Sequence, residues 1–340
     1  MNVVLFGAKS SPSTAIFIKN KNARFFSSKY PDSYNKVINN CYMDDYLDSC
    51  KTAYEAQKRV NEVEIINKHA GFPMHSWASN ADVVLQDVRN NVAEKHENLF
   101  KDPQKPEKVL GLRWLNTSDK LVFNVNFSKI PIELINGNKK PTKREFLALI
   151  MYIFDLLGFL IPITIQARLI MQSVWSSGVK WDEVINQTEF ILWTKWLQEI
   201  ERIKSVQINR CYQLLNSQLN EAELHVFCDA SSKAYGAVAY WRFKLNENKY
   251  HVFFIVAKNR VVPMRGNSTI PRLEFQAALI SSRLAEFIEK EHEFKITRRI
   301  FWSDSEIVLH WINKDPGQFK AFVANRLHEI REKTQPSEWR

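Results

Sequence analysis

Carboxylates held where they cannot relax apart are the residues of this chain best suited to chemistry, and two places offer them. The first is Tyr42-Met43-Asp44-Asp45. Two carboxylates fixed about 4 Å apart repel by roughly 4 kcal/mol at an effective dielectric near 20. A divalent cation removes that repulsion and gains two oxygen ligands. In a flexible loop the same pair would splay, so its meaning depends on a hairpin that holds it. The second place is assembled from distant segments. Asp229 ends the strand-like run Glu223–Asp229, Glu274 falls in the first turn of a predicted helix, and Asp304 follows the apolar run Arg299–Trp302. Strand ends and a helix start meet on one rim of a mixed sheet, so the three acids are candidates for one pocket. Each also has an ordinary use: Glu274 complements a helix N-terminus, and Asp304-Ser305 offers an N-cap.

The elements that must position these residues follow from the hydrophobic pattern. Residues 1–50 read as apolar segments separated by turns, with Asn35–Tyr42 and the residues after Asp45 joined through a hairpin-like turn at Met43-Asp44-Asp45. Asp48-Ser49 offers an N-cap. Ala53, Ala56, Val60, Val63 and Ile66 recur at helical spacing, so Cys50–His69 is an amphipathic helix ended by Gly71. Phe72–Ala78 reads as a strand and Ala81–His96 as a helix. Val109–Leu115 and Leu121–Phe127 read as paired strands, and 141–220 as helical throughout. From Glu221 onward the pattern is three strands (His225–Asp229, Ala234–Phe243, Tyr250–Val261), a helix (Leu273–Lys290), a strand (Arg299–Ser303) and two helices (Ser305–Ile312, Ala321–Lys333). That order implies a mixed sheet with helices packed on it, and an α+β or α/β multidomain chain.

Bulk properties narrow the partners. The 340 residues are too many for one ordinary core, so two or three domains are expected. A net charge of +10 favours anionic partners, nucleic acid before membrane surface. Arg113, Lys139, Lys140, Arg260 and Arg265 are candidate phosphate contacts. Cys41, Cys50, Cys211 and Cys228 are scattered, with no zinc spacing, which fits a reducing, intracellular compartment, cytoplasmic or nuclear. Phe146–Ile165 has the length of a membrane span, but Asp155 at its centre costs roughly 2.5–3.5 kcal/mol there. It reads instead as a buried helix, a break and a second helix. Trp175, Trp193 and Trp196 read as core.

The motifs resemble a known family. Tyr42-Met43-Asp44-Asp45 is similar to the hallmark string of retroviral and retrotransposon reverse transcriptases. Phe6-Gly7 with Ser11-Pro12 resembles the template-positioning motif of their palm, and Val109 to Trp114 (containing Gly111 and Arg113) resembles the primer-grip hairpin. Thr142-Lys143-Arg144, Phe154-Asp155-Leu156-Leu157-Gly158 and Trp181-Asp182 resemble the helical region of BEL/Pao-class long-terminal-repeat retrotransposons, with Leu156 standing where proline is usual. Asp229-Ala230-Ser231, Ile270 to Ala277 and Trp302-Ser303-Asp304-Ser305 resemble the acid-bearing segments of retroelement ribonuclease H domains.

The resemblance implies a polyprotein fragment in three parts: reverse-transcriptase palm over 1–107, primer grip and helical thumb or connection over 108–220, and a C-terminally truncated ribonuclease H-like domain over 221–340. It implies two-metal phosphoryl transfer with Mg²⁺ or Mn²⁺ at Asp44 and Asp45 and at Asp229, Glu274 and Asp304. Tyr42, Ser11, Pro12, Gly111, Arg113 and Trp114 would touch nucleic acid, as RNA template or RNA–DNA hybrid. The family's other palm aspartate and its fourth nuclease acid have no counterpart here, so both sites are expected to be incomplete and hybrid cleavage at most feeble. Two other readings remain: a nucleic-acid-binding remnant without catalysis, and an aspartic peptidase-like region, for which Asp229-Ala230-Ser231 is the nearest string.

Overall fold

Strict alternation from residue 221 builds the larger sheet of the protein, seen here in a computed structural model. The structure describes residues 7–43, 45–74, 76–86, 107–109, 112–123, 127, 130–203, 205–212, 221–246, 249–266, 268–292 and 294–340. It divides into two compact units, Met1–Val122 with Gln207–Arg210, and Phe123–Val206 with Cys211–Arg340.

In the first unit, helices α1 (Ser11–Arg24), α2 (Pro31–Asn39) and α3 (Ala53–His69) enclose a small core of Ala23, Val37, Val63 and Ile66. The turn-separated apolar segments expected over 1–50 are therefore corrected to two helices. Pro12 and Pro31 each sit in a first turn, where a missing N–H costs nothing. Strands β1 (Cys41–Tyr42) and β2 (Asp45–Tyr46) form the expected hairpin, only two residues a side. Helix α3 begins later than expected, capped by Thr52 rather than Asp48-Ser49, and Gly71 follows it at φ +75°. Residues 72–74 and 76–78 form no strand. Phe72 N–H closes the helix end on Asn67 O, Pro73 has no N–H to give, and Trp77 Nε1 donates to Glu64 at 2.8 Å. The helix expected over Ala81–His96 is present at 82–86, and its remainder lies outside the described residues.

A second sheet in this unit has the order β3 (Glu107–Val109), β4 (Leu112–Leu115), β5 (Lys120–Val122), β6 (Gln207–Asn209), all antiparallel. Val109–Leu115, expected as one strand, is thus two strands that fold back with Val109 opposite Leu112. The helical reading of 141–220 is corrected at β6, where three residues pair with β5.

The second unit begins with short helix α4 (Ile132–Ile135) and continues through α5 (Lys143–Tyr152), α6 (Ile161–Ser176) and α7 (Gln187–Ile203). Thr142 and Glu145 form a capping box at the start of α5. The apolar stretch 146–165 is broken between α5 and α6, and no helix among the described residues is long and apolar enough to cross a membrane. Phe146, Trp193 and Trp196 are fully buried together, the first two edge to face at 4.5 Å, whereas Trp175, expected in the core, is exposed with Lys143 over its ring.

The sheet of this unit has the order β10-β7-β8-β9. Strands β7 (Glu221–Ala230), β8 (Ala234–Asn246) and β9 (Lys249–Val261) form an antiparallel meander, as expected, and β10 (Lys295–Trp302) pairs parallel with β7. On β7, Ala222, Leu224, Val226 and Cys228 are buried, and on β8, Tyr235, Ala237, Ala239, Trp241 and Phe243. Helix α8 (Ile270–Glu291) contributes Leu273, Phe275, Ala278 and Leu284 to the same core, followed by α9 (Glu306–Asn313) and α10 (Ala321–Lys333). Each large side chain buried here is worth about 1.5–3 kcal/mol.

Candidate functional site

The parallel pairing of β10 with β7 decides where the acids go. Phe227 lies opposite Trp302, so Asp229 and Asp304 each stand two residues beyond that pair, at the same end of neighbouring strands. Both line one cleft of about 680 Å³, together with Phe227, Trp302, Lys258 and Arg340. Asp229 closes its strand by accepting from Ala230 N–H at 2.6 Å. Opposite it, Gly236 allows β9 to approach: a Cβ there would lie 2.7 Å from Lys258 O.

Glu274 reaches the same neighbourhood indirectly. Its Oε2 accepts from Ser305 Oγ–H at 2.5 Å. Ser305 is the N-cap of α9, where its Oγ also accepts from Val308 N–H. Among the described residues, no three His, Cys, Asp or Glu side chains are close enough to share one metal ion. Two carboxylates therefore face the cleft, and the third is one hydrogen bond away beside Asp304. In kind, the donors fit a hard divalent cation, since all are carboxylate oxygens.

The walls of the cleft are aromatic. Phe227 and Trp302 stack at 5.8 Å, and both are partly exposed. Trp302 Nε1–H donates to His225 Nδ1 at 3.1 Å, which leaves His225 Nε2 to face Glu223 at 3.3 Å. Burial pushes the His225 pKa down, against the pull of Glu223 and with the push of Arg242 and Arg298. Behind the acids, Cys228 donates to Trp302 O. Burial, helped by the charges of Asp229 and Asp304, pushes its thiol up to about 11.

At the first acidic place, Tyr42 and Asp45 are cross-strand partners and both are exposed. Met43, between them, has φ +56°. Asp44 and Gly111 lie outside the described residues. Ser11 and Pro12 open α1. Trp114 is occupied within the fold: its Nε1–H donates to Asp119, and the Arg210 guanidinium lies 5.5 Å from its ring and pairs with the same Asp119. Arg113, beside it on β4, is half-buried. Two of the expected phosphate contacts also have internal partners, since Lys139 pairs with Glu145 and Lys140 lies over Phe190.

Sequence reasoning missed Ser305, Lys258 and Arg340. Ser305 carried a signal as a helix cap, but its bond to Glu274 spans 31 residues and leaves none.

A mixed four-stranded sheet with an antiparallel meander, a parallel fourth strand and acids at the shared strand end is a ribonuclease H-like fold. Residues 142–305 match the family model described as "Pao retrotransposon-like RNaseH-like domain". Over those residues, just under half of the chain, it is similar to that retrotransposon class. Among solved structures it is similar to the foamy viral protease-reverse transcriptase in complex with RNA/DNA hybrid, at 15% identity and TM-score 0.51, over 99% of this chain and 38% of that one. It is also similar to the same viral protein in complex with dsDNA, at 15% identity and TM-score 0.48, over 99% of this chain and 58% of that one. The chain thus spans less than two thirds of either viral protein. No curated protein matches it.

Proposed function

We propose that the second unit is a ribonuclease H-like nuclease domain that binds RNA–DNA hybrid and cuts its RNA strand slowly, with Mg²⁺ or Mn²⁺ held by Asp229 and Asp304. The observation that carries this reading is their shared cleft, set by the parallel register of β7 and β10. A bound divalent metal supplies an activated water and neutralises charge on the leaving oxygen. The protein's own contribution is to fix two carboxylates at one strand end and to exclude water with Phe227 and Trp302. Lys258 and Arg340, on the same cleft, attract the phosphate backbone. Glu274 accepts from Ser305 through Oε2, which leaves Oε1 as the oxygen with which it would join Asp229 and Asp304.

Tyr42 and Asp45, with Asp44, are proposed as the corresponding polymerase remnant in the first unit, Tyr42 near a primer end and the aspartates as metal ligands. Ser11, Pro12, Gly111, Arg113 and Trp114 are proposed to line the path of the nucleic acid. The foamy viral protein's complex with RNA/DNA hybrid is consistent with such partners.

A second reading, binding without catalysis, is favoured by the lack of a three-donor group among the described residues. One assay separates the two. The full chain is incubated with labelled hybrid and Mg²⁺ or Mn²⁺, beside Asp229→Asn and Asp304→Asn. Slow cleavage abolished by either substitution supports the nuclease. Hybrid binding with no metal-dependent cleavage supports the binding remnant. Cleavage that survives both substitutions, or no affinity for hybrid, defeats the proposal.

A further inference from the structure

A second cleft, of about 310 Å³, shares β9 with the carboxylate cleft: Ala257, Lys258 and Asn259 line both. It is also lined by Arg168 of α6, Arg260 of β9 and Asp155 of the α5–α6 break. Its electrostatics are lopsided. Arg283, also on its wall, is neutralised by a two-pronged pair with Glu329 at 2.5 and 2.7 Å. Asp155 spends both carboxylate oxygens on the backbone, accepting from Gly158 N–H at 3.0 Å and Leu160 N–H at 2.7 Å.

Arg168, Lys258 and Arg260 have no carboxylate within ion-pair distance among the described residues. Arg168 is aimed by a hydrogen bond from its Nη1 to Asn259 Oδ1 at 3.1 Å. The α5–α6 break that presents Asp155 is itself fixed on β9, because Ala257 N–H donates to Leu157 O at 2.8 Å. Three cations line this concavity against one carboxylate on its wall, Asp155, which acts on Arg168 but is bonded to the backbone. Their mutual repulsion is relieved by a bound anion, and guanidinium forks match phosphate oxygens in geometry.

We propose that this cleft is a phosphate subsite in which Arg168, Lys258 and Arg260 hold a backbone phosphodiester of a strand that continues along β9 to the carboxylates. The α5–α6 break and the first half of α6 then contribute directly to substrate binding. The identity of the strand rests on the nuclease reading, whereas the affinity for phosphate does not.

The test uses the full chain and Arg168→Gln/Arg260→Gln, both side chains being exposed and so replaceable without unfolding. In one arm, affinity for a labelled hybrid is measured across salt concentrations. The double variant should lower the slope of log affinity against log salt by about 2. In the other arm, thermal unfolding is followed with inorganic pyrophosphate, which should raise the melting temperature of the parent chain and not of the variant. A lowered slope supports the subsite. An unchanged slope with a lost pyrophosphate shift assigns the cleft to free phosphate and overturns the phosphodiester assignment. If the parent chain fails to bind hybrid, the nuclease reading falls, and the pyrophosphate arm alone decides whether the cleft holds phosphate. Identical behaviour of parent and variant in both arms overturns the subsite entirely.

Discussion

One hydroxyl, that of Ser305, joins a helix cap to a carboxylate that the nuclease reading needs. It accepts from Val308 N–H and donates to Glu274. Ser305→Ala should cost about 1 kcal/mol of stability by losing the cap, read as a lowered urea midpoint at unchanged m-value. At the same scale, His225 links the sheet to the cleft wall. Its Nδ1 accepts from Trp302, so the ring is neutral, and burial holds its pKa below the ordinary value of 6.5. The unfolded chain therefore takes up this proton first. The stability carried by neutral His225 is fully present above pH 6.5 and is lost as pH falls through the lower folded-state value. Glu223, Arg242 and Arg298 face the ring and set how far that value lies below 6.5. His225→Gln should flatten the fall in unfolding free energy between pH 7.5 and 5, measured by urea titration. A parent chain whose stability does not decline over that range would contradict the assignment.

Among the elements, the clearest constraint is the break between α5 and α6. Gly158 has φ +84°, and a Cβ there would lie 2.3 Å from Ala257 O. Gly158→Ala should therefore destabilise the second unit by roughly 1–3 kcal/mol, from backbone strain and steric overlap together, read as a lowered melting temperature. Elements with one dominant periodicity were legible in the sequence. Helix α3 carries Val60, Val63 and Ile66 on one face, and β7 and β8 alternate over nearly their whole lengths. Helix α1 was not legible because it buries Lys19 and Asn22 rather than an apolar stripe. Strand β6 was not, because three residues exist as a strand only through pairing with β5, some ninety residues away. The meeting of Asp229 with Asp304 could be anticipated, since a strand end is a property of local pattern. The tether of Glu274 and the docking of the α5–α6 break on β9 could not, because each depends on contacts between remote segments.

Over the whole molecule, a net charge of +10 makes long-range attraction to nucleic acid a property of the chain rather than of one site. Binding to hybrid should weaken steeply as salt rises, through counterion release, and should do so in the Asp229→Asn variant as well. A flat response in a fluorescence anisotropy titration would mean that the positive charge is not used for phosphate contact.

The hydrogen bond from Ala257 to Leu157 also bears on how copies of this protein behave towards one another. Strand β9 is thirteen residues long and forms the outer margin of its sheet. Such a margin invites another chain to add a strand, the first step of aggregation. The loop at Leu157 occupies the main-chain donor of Ala257 and lies across the path that an incoming strand would follow. What looks like a connector therefore doubles as a guard against self-association, one that a purified second unit lacking residues 142–176 would go without.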